Sequence, residues 1–473
     1  MNRRSNEQPE PTPGDERSGT RRPVTRRDVL RGGGVALFAS LAGCPSAIRR
    51  DGSVPTSGVL TTPTPSSGSP DDPTPSSDDA RTPTPADDPT PTATEPRTDW
   101  YVSPDGNDAN TGTRSAPLGT LQAALSRVGP GHTVFLEDGR HYAPRAVSVQ
   151  GLAGTRDRPI TVCAVAGTTP VLDFVDAVTG GMRFSDCHWL ALRGFTVTLA
   201  PSVGLLIDDG SSDVLVEDVT VRESGGDRDA SGAGVSVYES SRVTLRNVVS
   251  RNNYDPGHGG SHADGIAVEA SPGTVLESCV AAGNSDDGFD LWQTSGVTLR
   301  ECRAFDNGWT AEGAAGGDGN GFKLGGGTDS GENVVERCVA FDNRERGFDD
   351  NSATRPLTLV HCTAWRNPVN FRLGCHTSLP PRCPAHRLRN NLSENGRVAL
   401  SPLVDAAVNS WGRGIDDARF ASRDRDDPAF LHLSADSPAI DAGVDLGRPY
   451  SGAAPDLGAF ESILDRAGTG TKP

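Results

Sequence analysis

Lysine is almost missing from this chain. Of its 45 basic residues only Lys323 and Lys472 are lysines, and the other 43 are arginines. Aromatic side chains make up 5% of the 473 residues and methionine occurs twice. Positive charge is also short: 62 acids give a net charge of −17 and a pI near 5.0, which excludes a nucleic-acid binder that works by neutralising phosphates. The apolar stretch 35–41 is too short to cross a bilayer as a helix. Glycine and proline are abundant (56 and 36), but twelve of the prolines fall between Pro45 and Pro96. The excess is local, and with 34% hydrophobic residues the rest of the chain is expected to fold.

The first 44 residues read as an address. Thr25-Arg26-Arg27-Asp28-Val29-Leu30 is a twin-arginine pattern, the stretch 35–41 follows, and Leu41-Ala42-Gly43-Cys44 has the form of a lipobox. The expectation is an exported protein, lipid-anchored through Cys44 at the cell surface; a cleaved secretory signal with an incidental cysteine is the other reading. Residues 45–98, rich in Thr, Pro, Ser and Asp, can bury no core and form an extended, disordered linker. Residues 99–473 remain as one folded unit.

That unit is a repeat. Cys279, Cys302, Cys338 and Cys362 are each followed five residues later by an asparagine: Asn284, Asn307, Asn343 and Asn367. The frame extends upstream to Val248 and Asn253, and downstream to Asn390 and Asn395, with successive asparagines 31, 23, 36, 24 and 28 residues apart. Short alternating strands such as Val243-Thr244-Leu245-Arg246 precede each cysteine position. Short strands at this period, with glycine-rich turns, predict an all-β fold, a single-stranded right-handed parallel β-helix. Stacked coils bring equivalent positions together about 4.8 Å apart, so the asparagines should form a ladder and the cysteines a column of buried thiols. Cys375 and Cys383 are the candidates for a disulfide. The amphipathic segment 121–128 should be an N-terminal capping helix, and the tail around residues 437–443 and 456–461 should close the other end. A capped solenoid of this kind is expected to be a monomer.

The register also locates the chemistry. A glycine–apolar pair recurs after each asparagine: Gly265-Ile266, Gly288-Phe289, Gly321-Phe322, Gly347-Phe348, with Asn370-Phe371 as a variant. If the apolar residue points inward, its successor points outward on the same face. Asp290, Lys323 and Asp349 should therefore be neighbours on three consecutive coils, followed by Arg372. Asp264 lies one coil earlier, and Asp286 and Asp287 adjoin Asp290. Four crowded carboxylates need a cation, and an all-oxygen ligand set favours Ca²⁺. Lys323 stands where composition has otherwise replaced lysine by arginine, a side chain that cannot release its proton at useful pH. Solvated acidic turns and a chance lysine in a salt bridge are the plain alternatives. His258 and His262 sit in a glycine-rich loop beside Asp264 and read as ordinary loop histidines.

Ala263-Asp264-Gly265, Asp286-Asp287-Gly288-Phe289-Asp290 and Gly319-Asn320-Gly321-Phe322-Lys323-Leu324-Gly325-Gly326 resemble polysaccharide lyase family 9, the pectate lyases with a parallel β-helix and an asparagine ladder. The resemblance covers most of residues 100–461. It implies that Asp264, Asp286, Asp287 and Asp290 bind Ca²⁺, that Lys323 is the catalytic base, and that the substrate is an acidic polysaccharide cleaved by β-elimination. The loop 307–319, with Trp309 and several glycines, is long for a coil. Arg346 and Arg372, with Asp349 between them, are candidates for contacts with substrate carboxylates, or are simply surface charges. A β-helix hydrolase or uronate epimerase, and a non-catalytic surface adhesin stapled by Ca²⁺, are the competing readings.

Overall fold

The computed structural model describes residues 98–225, 232–374 and 384–462. The twin-arginine leader, Cys44, all of the 45–98 linker except Thr98, and the Cys375–Cys383 pair lie outside the described residues.

The described residues form a parallel β-helix with three sheets of eleven, ten and ten strands, each strand pairing in parallel with its counterpart one coil away. A typical coil runs from a strand such as Phe289–Trp292, through Thr298–Arg300, to Arg303–Phe305, and then returns. The sheet containing Ile266–Glu269, Phe289–Trp292, Asn320–Lys323, Arg346–Asp349 and Val369–Leu373 carries the chemistry and is called the front sheet below.

The core follows from alternation along each strand. Phe289, Phe322, Phe348 and Phe371 are fully buried and stack ring on ring at 4.7, 4.8 and 5.0 Å between centroids. That spacing is the distance between coils, so one inward position is repeated four times. The cysteine column is also interior. Cys279, Cys302, Cys338 and Cys362 are buried free thiols whose sulfurs lie 3.4–3.7 Å from carbonyl oxygens of the preceding coil. Burial pushes each thiol above its ordinary range, which makes it inert.

The asparagine ladder satisfies buried polar groups from coil to coil. Asn253 donates to Asn284 (2.8 Å), Asn284 to Asn307 (2.9 Å), Asn307 to Asn343 (2.8 Å) and Asn343 to Asn367 (3.0 Å), each Nδ2 to Oδ1. The next rung departs from expectation. It is Asn370, which accepts from Asn367 at 3.0 Å, and not Asn395. The last coil is offset by one residue: Leu392 pairs with Thr363, so Gly396 aligns with Asn367 and Asn391 with Cys362. Asn395 instead takes the left-handed position (φ 53°) that Asp342 and Arg366 occupy before their asparagines. Asn343→Ala removes the acceptor of the Asn307 side chain and the donor to Asn367 and to the Ala304 carbonyl. Each buried group left unmade costs about 1–3 kcal/mol. Denaturant unfolding of this variant is expected to show a loss of about 3 kcal/mol or more.

The ends differ from each other. The helix Leu121–Leu125, capped by the Thr120 hydroxyl accepting from the Ala123 amide, buries Leu121, Ala124 and Leu125 over the first coils, as the amphipathic pattern requires. The tail, however, does not close the far end. Phe420, Leu431, Ala439, Leu457 and Ala459 pack sideways on Val339, Phe341, Trp365 and Leu392, the outward apolar residues of a flank sheet. The far end of the core is met by Trp411, whose ring stands 5.1 Å from Phe371. The tail covers the flank because that sheet carries apolar side chains on both faces there.

Candidate active site

The front sheet places the expected residues in register. Ala267 pairs with Asp290, Asp290 with Lys323, Lys323 with Asp349 and Asp349 with Arg372. Inward phenylalanines immediately before four of these positions, Asp290, Lys323, Asp349 and Arg372, force the next side chains outward.

Lys323 nevertheless does not reach open solvent; its side chain is 11% exposed. Its Nζ lies 3.1 Å from one carboxylate oxygen each of Asp287, Asp290 and Asp318. Burial pushes the Lys323 amine down, but the charges of Asp290, Asp287, Asp264 and Asp318 outweigh it and hold the amine above its ordinary value. Without a competing cation Lys323 is an ammonium and serves as counter-ion to the nest.

Asp318 was not among the residues expected from sequence. It comes from the loop 307–319, which folds over the nest and is pinned there. Asp286 accepts the Asp318 amide at 2.6 Å, and Arg344 donates to the carbonyls of Gly317 (2.7 Å) and Asp318 (3.0 Å). Gly317 makes the approach possible: at φ 39°, a Cβ there would stand 2.1 Å from an Asp286 oxygen. The only local hint was an acid set among glycines just before the Asn320–Lys323 strand.

Three of the four aspartates converge. Asp264, Asp286 and Asp287 each bring a carboxylate oxygen within 4.8 Å of the others. Backbone N–H groups orient them: Asp287 donates to Asp264 (3.1 Å), His262 to Asp286 (2.7 Å) and Asn320 to Asp287 (2.6 Å), the last joined by the Asn320 side chain at 2.9 Å. Asp290 is joined to the three through Lys323. Burial, reinforced by mutual repulsion, pushes the Asp264 and Asp287 carboxyls well up and that of Asp290 to about 6. Asp290 Oδ1 is buried and accepts no hydrogen bond, and buried Asp287 Oδ2 has the Lys323 ammonium at 3.1 Å as its partner. Buried charged oxygens in an all-oxygen set, one without any donor and one partnered by an ammonium, fit a hard cation such as Ca²⁺.

Asp349, Arg346 and Arg372 form a second, separate cluster one coil on. Asp349 is buried and accepts from Arg346 at 2.9 Å and from Arg372 at 2.8 Å, one arginine on each carboxylate oxygen. It is a holder of arginines, with its oxygens already taken, and the two partly exposed guanidinium groups face outward beside Lys323. Trp292, two residues beyond Asp290 on the same face of its strand, is 38% exposed, with its ring beside Gly326.

The chain has relatives with this arrangement of coils. A family profile described as the Pel9A-like right-handed β-helix region matches residues 100–391. Pectate lyase L of Dickeya dadantii is 32% identical over 396 residues, covering 76% of this chain and 90% of that protein. Pectate lyase L of Paenibacillus polymyxa is 33% identical over 324 residues, covering 64% and 69%. The crystal structure of pectate lyase Pel9A superposes with a TM-score of 0.64 at 30% identity, over 77% of this chain and 96% of that one.

Proposed function

Because the chain belongs to the Pel9A-like β-helix family and is a polysaccharide lyase of the pectate lyase type, we propose that it cleaves 1,4-linked polygalacturonate by Ca²⁺-dependent β-elimination, with Lys323 as the base. One observation carries the reading: the only lysine among the described residues is held 3.1 Å from Asp287 and Asp290, beside a buried Asp290 oxygen that lacks a donor.

Asp264, Asp286, Asp287 and Asp290 would hold the ion. When bound, Ca²⁺ supplies counter-charge for the uronate carboxylate and so makes the adjacent C5 proton more acidic. Lys323, with its carboxylate partners engaged elsewhere, would give up its ammonium proton to solvent water and, as a neutral amine, accept the C5 proton. The C5–H electron pair becomes the C4–C5 double bond, the C4–O bond breaks, and the leaving oxygen takes a proton from water. Asp318 and the loop 307–319 roof the amine and limit water around it. Arg346 and Arg372, fixed by Asp349, receive a neighbouring uronate carboxylate, and the Trp292 ring offers an apolar face to a sugar. A polyanionic substrate thus meets an acidic protein only where cationic groups are concentrated.

The test is ultraviolet absorbance of the unsaturated product when the protein is incubated with polygalacturonate and Ca²⁺. A hydrolase or an epimerase yields no such product, and an adhesin yields none and leaves the polymer uncut. Asp349→Ala frees both arginines while leaving the base and the acidic nest in place. Its KM is expected to rise about tenfold with kcat changed much less, the pattern of lost ground-state binding.

Export and anchoring belong to the same reading. The twin-arginine leader and the lipobox ending at Cys44 support a lyase tethered at the cell surface by the linker up to residue 98. Mass spectrometry of the mature N-terminus should find a lipid on Cys44.

A further inference from the structure

We propose that Asp255, His258 and His262 form a second cation site, separate from the acidic nest and selective for a borderline divalent ion of the zinc class. From sequence the two histidines were ordinary loop residues, because their spacing meets no helix. The loop supplies its own geometry. Pro256–His258 is one turn of 3₁₀ helix, and Gly259 and Gly260 follow at φ 62° and 92°. The reversal returns His262 over His258, with ring centroids 5.1 Å apart.

Both imidazoles meet one carboxylate. His258 Nδ1 lies 2.8 Å from Asp255 Oδ2, and His262 Nδ1 lies 3.8 Å from the same oxygen. The three donor atoms fall within 4.8 Å of one another. The Asp255 side chain is fully buried, whereas His258 and His262 are 34% and 62% exposed. A buried anion therefore sits beneath two imidazoles that are partly exposed. Two imidazoles and a carboxylate, with an open fourth position, is a ligand set suited to Zn²⁺. The acidic nest, all oxygen and multiply charged, suits Ca²⁺ instead. Donor chemistry thus separates two sites that lie close together.

The loop is firmly seated. The Gly260 amide donates to the Asp255 carbonyl at 2.8 Å, and Ser285 Oγ donates to the Gly260 carbonyl at 3.0 Å. A Cβ on Gly260 would stand 2.7 Å from Gly316 of the loop that roofs Lys323. The His262 amide in turn holds Asp286 at 2.7 Å. An ion at Asp255, His258 and His262 would fix the piece of backbone that orients a ligand of the acidic nest.

The test is calorimetric and uses no polysaccharide, so its result is independent of the lyase reading. The full chain, kept saturated with Ca²⁺, is titrated with zinc chloride, and in parallel with Co²⁺ while its visible absorption is followed. One equivalent should bind, with a Co²⁺ spectrum of tetrahedral type. His258→Ala and His262→Ala should each weaken zinc binding by about tenfold or more, and the double variant should lose that equivalent. His262 is 62% exposed, so the zinc-free melting temperature of His262→Ala should stay close to wild type, whereas His258→Ala takes the 2.8 Å partner from the buried Asp255 carboxylate and should melt somewhat lower with or without zinc. A zinc isotherm unchanged in the double variant overturns the proposal. So does a wild-type chain that takes up no zinc while His258→Ala melts early, because the His258–Asp255 contact is then only a loop fastening.

Discussion

Lys323→Ala is expected to lose about 10³-fold or more of the rate at which unsaturated uronide forms, within the range that a positioned proton acceptor contributes. Alanine alone does not separate two roles, since Lys323 is also counter-ion to Asp287, Asp290 and Asp318. Lys323→Arg does. A guanidinium keeps the positive charge but releases no proton at assay pH, so an arginine variant that folds and binds Ca²⁺ should be as inactive as the alanine variant. The pH profile gives a third reading. A base must be neutral to act, and a lysine amine ordinarily loses its proton only in the alkaline range. Wild-type activity should therefore climb through the alkaline range. Retention of activity within tenfold in Lys323→Ala, or a profile peaking at acid pH, would remove Lys323 as the base.

The sequence exposes this lysine because the repeat is so regular. A glycine–apolar pair in each coil sets the inward position, and Phe289, Phe322 and Phe348 stack as that pattern demands. The pairing of Asp290, Lys323 and Asp349 follows from it. The register was legible because it repeats; what does not repeat was not. Asn395 was misplaced because the last coil is offset by one residue and Asn370 takes the rung that a side chain at Gly396 would fill. Asp318 reaches Lys323 only through a loop whose path is set by distant contacts to Asp286 and Arg344. The exposure expected for Lys323 failed for the same reason. Asp349 looked like a substrate contact in one dimension, yet in three it is consumed by Arg346 and Arg372. The tail's apolar residues suggest an end cap from sequence, because nothing in their own sequence says that Phe341 and Trp365 face outward on a flank.

Removal of Ca²⁺ by a chelator is expected to abolish activity and to lower the melting temperature, and the second effect carries its own pH signature. The folded-state carboxyl of Asp290 is raised to about 6, and those of Asp264 and Asp287 are raised well above the ordinary value. A carboxyl raised by folding binds its proton more tightly in the native state. Its stabilising contribution is fully present below its unfolded value and is lost as pH rises through the folded one. The chelated protein should therefore become less stable between about pH 4 and 6 and stay so at neutrality, where buried charges repel. Calcium present at a hundredfold its dissociation constant returns about 2.7 kcal/mol, a shift of several degrees, at neutral pH. The shift should vanish near pH 4, where protons occupy the carboxylates instead. Asp287→Asn removes one buried charge while keeping the size of the side chain. Its chelated form should melt no lower than chelated wild type, and its calcium response should largely disappear. Equal calcium shifts in wild type and Asp287→Asn would place the ion somewhere other than among Asp264, Asp286 and Asp287.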